Sequence, residues 1–412
     1  MMLRLAWRNL WRHPRRTWLT CGAMIFSNLL LVFLISLQFS MYRLMIDNSL
    51  RAGSGHLQLQ AEGYLERATL RNTLADIGAL ATRLRDDFPE LEAGARAEAF
   101  ALASSEQRSY GVQVLGVEPG QEPRVSSLPG LVVAGRYLAP ADTDAAVLGS
   151  LLARNLKVTV GDELTLIGSA RDGSFAALVV EVVGVFESGI AEIDRALIQL
   201  PLTRFDSAFV MQGGGHRVVI QLPSLEQTAQ WQQRLQTWLA AGLEAEAQGG
   251  AVIDWDQLQP GLQQAIKADM ASAWFMYGVL VLLVACGVLN TQLMSVLERT
   301  REFGLVLALG MRPGRLARLV MLESLLMALL GLGLGMLAGA ALTLWLGVNG
   351  FSYPGMDEMA ARFNLPSRVY PSLSSLSLAL GPAVVFVASL LAALYPSLRL
   401  LRLRPVSAMR AV

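Results

Sequence analysis

The sequence predicts a membrane protein with four transmembrane helices and a large extracytoplasmic α/β domain that carries a β-rich inserted subdomain. Of its 412 residues, 53% are hydrophobic and 16% are charged. This composition is too apolar for an average soluble protein and too charged for a chain that lies wholly in a bilayer. Four apolar runs can cross a membrane, and a long mixed segment between the first two can form its own core.

The four runs predict transmembrane helices at residues 17–41, 271–297, 316–348 and 376–396. Crossing a bilayer takes about 20 apolar residues in a helix. The first run is longer than the hydrophobic region of a signal peptide, and no small-residue cleavage motif clearly follows it. We therefore interpret it as a retained anchor.

Arginine placement predicts the orientation. Three basic clusters precede the first span, separate the second from the third, and follow the fourth: Arg4, Arg8, Arg12, Arg15 and Arg16; Arg299, Arg301, Arg312, Arg315 and Arg318; and Arg399, Arg402, Arg404 and Arg410. In the loop 349–375, Arg362 and Arg368 are offset by Asp357 and Glu358. By the positive-inside rule, both termini, including the tail 397–412, face the cytoplasm, and residues 42–270 face outward.

Residues 1–16 have the pattern of an amphipathic helix that lies in the membrane interface. Apolar side chains recur at helical spacing, at Leu3, Ala6, Trp7, Leu10 and Trp11, and arginines occupy other positions. Tryptophan and arginine are typical at headgroup depth. The alternative is a plain basic segment ahead of the first span.

The outward segment alternates strand and helix signals in its two flanks, 42–117 and 216–262. The first flank predicts a strand at 56–60, a helix at 72–88 and a strand at 109–117, and the second predicts a strand at 217–222, a helix at 224–241 and a strand at 250–255. Between them, residues 118–215 predict a β-rich insertion with strands at 131–134, 145–148, 163–167, 176–186 and 196–200. A further helix from about Asp256 is expected to run directly into the second span.

The segment 298–315 between the second and third spans predicts a short helix with a docking function. Four charged residues come first, Glu298, Arg299, Arg301 and Glu302, and we expect them within about the first turn. Apolar residues including Phe303 and Leu307 follow, and Gly310 is a natural helix stop. Such a short helix must pack against something, although an ordinary loop between two spans remains the alternative.

Two features stand out within the third span. Gly331, Gly335 and Gly339 form a stripe of small residues, spaced by four, that lets another helix approach closely. The neighbour can belong to this chain or to a partner subunit. Glu323 is an acid well inside the span, and either it has a functional role or it reaches the nearby interface or pairs with Arg318.

The search for catalytic chemistry is negative. The sequence has no P-loop, and its only lysines are Lys157 and Lys267, so it cannot bind a nucleotide with a P-loop of its own. His13, His56 and His216 lack metal-ligand spacing, and we expect them to be scattered on the surface. No nucleophile elbow is present, and Cys21 and Cys286 both fall in predicted spans, where they are expected to pack as small apolar residues.

Several of these segments resemble the permease family that includes MacB, FtsX and the Lol lipoprotein-release subunits. The matching segments are Glu298-Arg-Thr-Arg-Glu-Phe-Gly304, Leu307-Ala-Leu-Gly310, the position of Glu323, the opening Ala6-Trp-Arg-Asn-Leu-Trp-Arg-His-Pro-Arg-Arg-Thr17 and the ending Tyr395-Pro-Ser-Leu-Arg399 through Arg410. One span, a large outer domain and three further spans is the family's layout. The segment Ser54-Gly-His-Leu-Gln-Leu59 is most similar to the lipoprotein-release branch. Ser407 stands where the family commonly has an acid.

The resemblance implies an ABC permease of the mechanotransmission type (type VII) that works as a homodimer or heterodimer with two separate ATPase subunits. It implies that Glu298, Arg299, Arg301, Glu302, Phe303, Gly304, Leu307 and Gly310 dock on the ATPase, and that the α/β flanks form a porter-like subdomain. The chain itself would bind no cofactor, since ATP and Mg²⁺ would belong to the partner ATPase. Neither a metal site nor nucleic-acid binding is expected.

Three functions are consistent with this resemblance. The first is extraction of lipoprotein or other hydrophobic cargo from the outer leaflet of a bacterial inner membrane, with a lipoprotein, adaptor or chaperone as further partner. The second is MacB-like efflux of peptides or drugs through a periplasmic adaptor and an outer-membrane channel. The third is FtsX-like regulation of a cell-wall hydrolase. An apolar cleft in the outer domain favours the extraction of lipid-bearing cargo, whereas a polar cleft favours efflux or regulation.

Overall fold

A computed structural model of the chain describes residues 2–12, 14–242, 249–356 and 368–402. Its α-helices are α1 Met2–Leu10, α2 Pro14–Ser49, α3 Ile77–Asp87, α4 Glu122–Val125, α5 Ser150–Leu156, α6 Ala191–Ala196, α7 Leu202–Phe209, α8 Thr228–Gly242, α9 Trp255–Leu258, α10 Pro260–Glu298, α11 Thr300–Ala308, α12 Pro313–Asn349 and α13 Ser375–Arg399. A π-helical turn, Leu50–Ser54, follows α2. The chain divides into a helical unit, which contains the described parts of Met1–Tyr42, Ala265–Tyr353 and Arg368–Val412, and a mixed unit.

The described residues contain four helices that are long and apolar enough to cross a membrane, at Thr17–Ser49, Pro260–Glu298, Pro313–Asn349 and Ser375–Arg402. The four predicted spans are therefore confirmed as helices, but the first two extend beyond the predicted limits of 17–41 and 271–297. The predicted limits lie where polar residues lower the hydropathy of the sequence. Both helices continue beyond these limits, and polar side chains just outside them contact each other. The Tyr42 hydroxyl donates to Asp269 at 2.7 Å, and Gln38 Nε2 donates to the same carboxylate at 3.3 Å.

The predicted continuous helix from Asp256 into the second span is interrupted. The short α9 ends at Leu258, and Gln259 leaves the helical region with φ −129° and ψ 65°. Pro260 then opens α10. Proline disfavours the α conformation in the residue before it and has no N–H to donate, so it starts a helix and does not continue one. The predicted junction is wrong for this reason.

At the amino terminus, α1 covers Met2–Leu10, which is shorter than the predicted 1–16. Pro14 begins α2, so the last residues of the predicted segment belong to the first long helix. Ala6 and Leu10 are buried, whereas Leu3, Trp7 and Trp11 are exposed. One part of the apolar face therefore packs inside the unit, and another part remains on its surface.

The glycine stripe of α12 lies against α2 of the same chain. A Cβ atom added at Gly331 would lie 2.6 Å from Met24 Cβ, and one at Gly335 would lie 2.5 Å from Asn28 Cβ. The third glycine, Gly339, packs on Val32 in the same way, at 2.8 Å. All three distances are shorter than side chains tolerate. The stripe therefore permits a close helix–helix approach within the chain.

The mixed unit contains a ten-stranded sheet in the order β10-β1-β9-β2-β3-β8-β5-β7-β4, with β6 paired to β2 and β7. Its strands are β1 Leu57–Ala61, β2 Glu92–Ser104, β3 Ser109–Val117, β4 Val132–Gly135, β5 Ala145–Gly149, β6 Glu163–Ser169, β7 Phe175–Phe186, β8 Leu197–Pro201, β9 Arg217–Gln221 and β10 Gly250–Asp254. Nine of these strands lie where the sequence predicts them. The tenth, β2, is absent from the prediction although it is the longest.

The flanks fold as two strand-helix-strand units, β1-α3-β2 and β9-α8-β10, that share one core. In the first unit the unpredicted β2 takes the place of the predicted strand 109–117, and the helix begins at Ile77 and not at residue 72. On α3, Ile77, Leu80 and Leu84 are buried as the predicted helical face requires. They belong to a cluster with Trp231 and Leu235 of α8 and with residues of β1, β9 and β10. The other half of the mixed unit is β-rich, contains β3 to β8 and has cores of its own. The strand β2 pairs with β6 of this half and with β9 of the flanking half. The insertion is thus continuous with the flanking sheet.

A buried ion pair joins Arg96 of β2, the strand shared by the two halves of the mixed unit, to Glu122 of α4. Arg96 donates from Nη2 to Glu122 Oε1 at 2.5 Å and from Nε to Glu122 Oε2 at 3.2 Å. Both side chains are 1% exposed. Arg96 also donates to the carbonyl of Gly53 in the π-helical turn. The guanidinium thereby fixes α4 and the turn after α2 to the middle of the sheet.

Two histidines are buried, so the expectation of scattered surface histidines is wrong for them. His56 is 2% exposed and accepts the backbone N–H of Leu222 on Nδ1 at 2.9 Å, and His216 is 0% exposed and accepts that of Glu98 at 2.9 Å. In each case the imidazole Nδ1 atom takes the place of a backbone carbonyl as the acceptor for that N–H group. Burial lowers the pKa of His216 to about 4, which keeps it neutral. His13 lies outside the described residues.

Beside His216, the Glu98 carboxylate is held as an anion in a polar cluster. Burial opposes its ionisation, but Arg217 at 2.7 Å, the Tyr64 hydroxyl and Gln113 at 2.9 Å hold the pKa of Glu98 below its usual range. Burial and the charge of Glu98 raise the pKa of Tyr64. Through Glu98 the cluster joins β2 to β3, to β9 and to Tyr64 in the segment after β1.

We predict that Gly335→Leu lowers the stability of the helical unit by about 1–3 kcal/mol, because a side chain there must push α2 away. Thermal unfolding of the purified chain in detergent would measure the loss. Gly333→Leu is the matched control, since no atom lies within 4 Å of a Cβ added at Gly333 on the same helix. Equal effects of the two substitutions would contradict the close α2–α12 contact.

Candidate functional site

The segment after the second span forms α11 with defined ends. The preceding α10 ends at Glu298, and Arg299, with φ −95° and ψ 6°, separates the two helices. The prediction that Glu298 shares the first turn of the short helix is therefore wrong, because the second span continues through it. At the other end, Gly310 has φ +98° and its N–H donates to the Leu307 carbonyl at 3.1 Å. Gly310 is confirmed as the helix stop.

The two faces of α11 differ. Phe303, Gly304 and Leu307 are buried. They face a core cluster completed by Val296, Leu316, Val320 and Leu400. On the outer face, Arg301 and Glu302 are exposed, and the side chains of Leu305 and Leu309 are 57% and 81% exposed. The buried face fixes the helix to its own chain, and the exposed face is free for a partner.

The structure places the eight predicted docking residues in three settings. Phe303, Gly304 and Leu307 point into the core, Arg299 is mostly buried in an ion pair, and Glu298, Arg301, Glu302 and Gly310 are exposed. Sequence reasoning did not include Leu305 and Leu309 in the docking set. Helical spacing would have identified both leucines, since positions 301, 305 and 309 are four residues apart and lie on one helical face.

Glu323 of α12 is 7% exposed and has two partners. Arg299 Nη1 lies 3.2 Å from Glu323 Oε2, and Asn9 Nδ2 donates to Oε1 at 2.7 Å. Of the alternatives for Glu323, a pairing with Arg318 is wrong, because Arg318 is exposed and Arg299 reaches the acid from the α10–α11 junction. The carboxylate thus joins α1, the α10–α11 junction and α12.

The guanidinium of Arg299 has further contacts. It lies over the Phe303 ring, 4.9 Å from the centroid, and its Nε is 3.6 Å from Glu302 Oε2. A cavity of about 40 Å³, lined by residues that include Arg299 and Glu323, adjoins the pair and has room for water. The pair is therefore buried but supported on several sides, which a buried charge requires.

Among the described residues, no three His, Cys, Asp or Glu side chains gather into a potential metal site. Arg299, Glu302 and Glu323 are engaged in ion pairs, and Asn9 adds a hydrogen bond from α1. The arrangement holds a helix in place and presents its outer face. It contains no nucleophile with an adjacent base.

We predict that Glu323→Leu destabilises the helical unit by about 3–5 kcal/mol, because it leaves the Arg299 charge buried without a partner. The double variant Arg299→Met/Glu323→Leu should recover part of this loss, since neither charge then remains. Thermal unfolding in detergent would measure the coupling, with the exposed neighbour Arg301→Met as control. Strictly additive effects of the two single substitutions would contradict the pair.

Comparison with known proteins identifies the same two regions. The FtsX-like permease C-terminal domain matches residues 274–405, and the MacB-like periplasmic core domain matches residues 17–238. Lipoprotein-releasing system transmembrane protein LolC from Xylella fastidiosa is 24% identical over 76% of this chain and 76% of its own length. Macrolide export ATP-binding/permease protein MacB from Rhodospirillum rubrum is 30% identical over 66% of this chain and 38% of its own length.

Among solved structures, the periplasmic region of MacB from Actinobacillus actinomycetemcomitans is 12% identical and has a TM-score of 0.36, covering 50% of this chain and 92% of its own. The family matches cover the first span, most of the mixed unit and most of the last three spans. Together with four apolar helices and the α/β unit with its β-rich half, they show a multi-pass membrane protein. The chain belongs to the FtsX-like and MacB-like family of ABC transporter permeases.

Proposed function

We propose that this chain is a permease subunit that couples ATP hydrolysis by a separate ATPase to a conformational change outside the membrane. The observation that carries the proposal is the two-sided α11, with one face packed in the chain's own core and the other exposed. A helix held so firmly and yet exposing Leu305 and Leu309 is suited to bind a partner. The ATPase would bind this face, together with Arg301 and Glu302.

The proposed transmission path follows the contacts of α11. A displacement of α11 acts on Arg299 and, through its ion pair, on Glu323 of α12 and Asn9 of α1. It acts equally on α10, which ends one residue before Arg299 and is a single helix from Pro260. Tyr42 and Gln38 connect the far part of α10 to α2 through Asp269. Movement at the ATPase would therefore reach the outer ends of both helices.

The proposed location is a bacterial inner membrane with both termini in the cytoplasm. The arginines of the amino terminus and of the segment 299–318 support this orientation. ATP and Mg²⁺ would be bound by the partner ATPase, since this sequence lacks a P-loop. A dimer of ATPase subunits would act on this chain and a second permease, either identical or related.

For cargo, we propose a lipoprotein or another lipid-bearing molecule. The β-rich half exposes an apolar sheet face whose side chains are Phe100 and Leu102 of β2, Ile167 of β6, and Phe175 and Val179 of β7. Phe100 and Phe175 are 77% and 75% exposed. The strands are paired in the order β2-β6-β7, so these side chains form one surface. An exposed apolar surface of this kind favours acyl chains over polar substrates.

The alternative proposal is efflux, as the name of the MacB relative describes for macrolides. The same sheet face would then contact a hydrophobic drug or an adaptor protein. The two proposals share the ATPase-driven mechanism and differ in what the outer unit binds. A binding experiment on the sheet face can separate them.

We predict that Leu305→Ala/Leu309→Ala abolishes ATPase co-purification from native membranes in mild detergent, because the substitutions remove the apolar contacts of the outer face. Both side chains are exposed, so the thermal stability of the chain alone should change little. Leu337→Ala/Leu344→Ala is the matched control, with leucines that are 69% and 59% exposed on α12. Undiminished ATPase recovery with the α11 variant would argue against docking on this face.

We predict that Phe100→Asn/Phe175→Asn reduces lipoprotein binding at least about tenfold while ATPase binding persists, because the variant loses two large apolar contacts. Co-purification followed by mass spectrometry would identify the bound cargo. Val133→Asn is the control, since Val133 is 60% exposed on β4, outside this face. Recovery of an adaptor and an outer-membrane channel, without lipoprotein, would favour efflux.

A further inference from the structure

A groove lies between the amino-terminal segment and the end of α10 within the helical unit. It encloses about 640 Å³ and its lining includes Arg12, Arg15, Asn290, Thr291, Met294 and Glu298. This volume falls within the range of small-molecule sites. The docking surface of α11 does not account for it.

The polar side of the groove is cationic. Arg12 and Arg15 are exposed, and the closest acid to Arg12 in the structure, Glu302, is 3.7 Å from its Nη1 while the Arg12 side chain stays 64% exposed. Glu298 is engaged in an interaction within the chain. The lining itself holds two guanidinium groups and one carboxylate, and the exposed Arg12 side chain keeps N–H donors beyond its contact with Glu302. Guanidinium groups match the geometry of phosphate oxygens.

A ladder of tryptophans places the groove at the membrane interface. The Trp7 and Trp11 rings are 6.0 Å apart and those of Trp11 and Trp18 are 6.1 Å apart, both edge to face. All three side chains are exposed, at 43%, 44% and 54%. Exposed tryptophans favour headgroup depth, where the ring is half solvated. Arg12 and Arg15 fall between Trp11 and Trp18 in the chain.

The remaining wall is apolar and continues onto the surface of the second span. Met294 lines the groove and is 52% exposed, and Leu297, on the same helix, is 51% exposed. Asn290 and Thr291 lie about one turn before Met294 on α10 and add polar groups to this wall of the groove. The lining therefore combines cationic, polar and apolar groups, which match the phosphate, glycerol and acyl chains of a phospholipid.

The first 46 residues contain no acidic residue, so no carboxylate of this segment opposes an anion. From these observations we propose that the groove binds one anionic phospholipid of the surrounding leaflet, with its phosphate between Arg12 and Arg15 and its acyl chains along α10 from Met294 toward the middle of that helix. The lipid would hold the amino-terminal segment against α10, beside the Asn9–Glu323 contact. The groove borders the docking surface through Glu298 and through the Arg12–Glu302 contact, so the test also measures ATPase binding.

The test uses the full-length chain reconstituted with phosphatidylglycerol and phosphatidylethanolamine, and native mass spectrometry after detergent extraction. The wild-type chain should retain one phosphatidylglycerol, and Arg12→Gln/Arg15→Gln should bind it at least about tenfold more weakly, since each arginine near an anionic headgroup contributes about 1 kcal/mol. Arg4→Gln/Arg8→Gln is the matched control. It removes the same charge from exposed positions on α1 that do not line the groove.

Three results would overturn the proposal. Equal loss of lipid in the two double variants would mean that general charge, and not the groove, attracts the lipid. Equal retention of phosphatidylethanolamine by the wild-type chain would mean that the site does not select an anion. Unchanged phosphatidylglycerol binding with loss of ATPase binding in Arg12→Gln/Arg15→Gln would assign the groove to a protein partner. If that variant does not fold, Arg15→Gln alone and the wild-type lipid selectivity decide the question.

Discussion

The buried carboxylate of Glu323 is the constraint on which the α11 end of the helical unit depends. A charge at 7% exposure inside an apolar helix costs several kcal/mol of desolvation unless partners compensate it. Here the partners come from two other places in the chain, Asn9 on α1 and Arg299 at the α10–α11 junction. Satisfying one acid therefore fixes the positions of three helices. It also fixes the direction of α11, since Phe303 packs under Arg299 and Leu305 and Leu309 must then point outward.

The glycine stripe of α12 supplies a second and different constraint. Between helices in a bilayer, apolar surface gains little by leaving lipid, so association depends on close packing and on hydrogen bonds. Gly331, Gly335 and Gly339 bring α12 against α2, and Asn28 donates to the Gly331 carbonyl at 3.2 Å. The Arg299–Glu323 ion pair and the glycine stripe lie one after the other along α12. The first holds α12 to α1 and α10, and the second holds it to α2, so α12 is the helix through which the others are ordered.

The sequence predicted the spans, nine of ten strands and the stop at Gly310 because each rests on a local pattern. It missed β2, whose alternating alanines from Ala93 to Ala103 carry the period of a strand but the composition of a helix. Cross-strand pairing with β3, β6 and β9 overrides that local preference. The partner of Glu323 was also missed, because Arg299 is 24 residues away and Asn9 is 314 residues away. Charge pairs within one helix are visible in sequence, whereas a pair between helices depends on packing. His56 and His216 were misplaced for a related reason, since each accepts a backbone N–H from a distant strand.

The distribution of charge along the spans bears on how the chain can work. On α10, no acidic or basic residue occurs between Asp269 and Glu298, and on α12 none follows Glu323 before the helix ends. Asp269 contacts Tyr42 and Gln38, and Glu323 contacts Arg299 and Asn9, so both acids already bind helices to one another. A polar conduit would need ionisable or hydrogen-bonding groups along its length. On α10 and α12 the acidic residues Asp269 and Glu323 lie at two separate levels and serve helix contacts. This arrangement is better suited to transmitting movement between two ends of a bundle than to conducting a polar substrate through it.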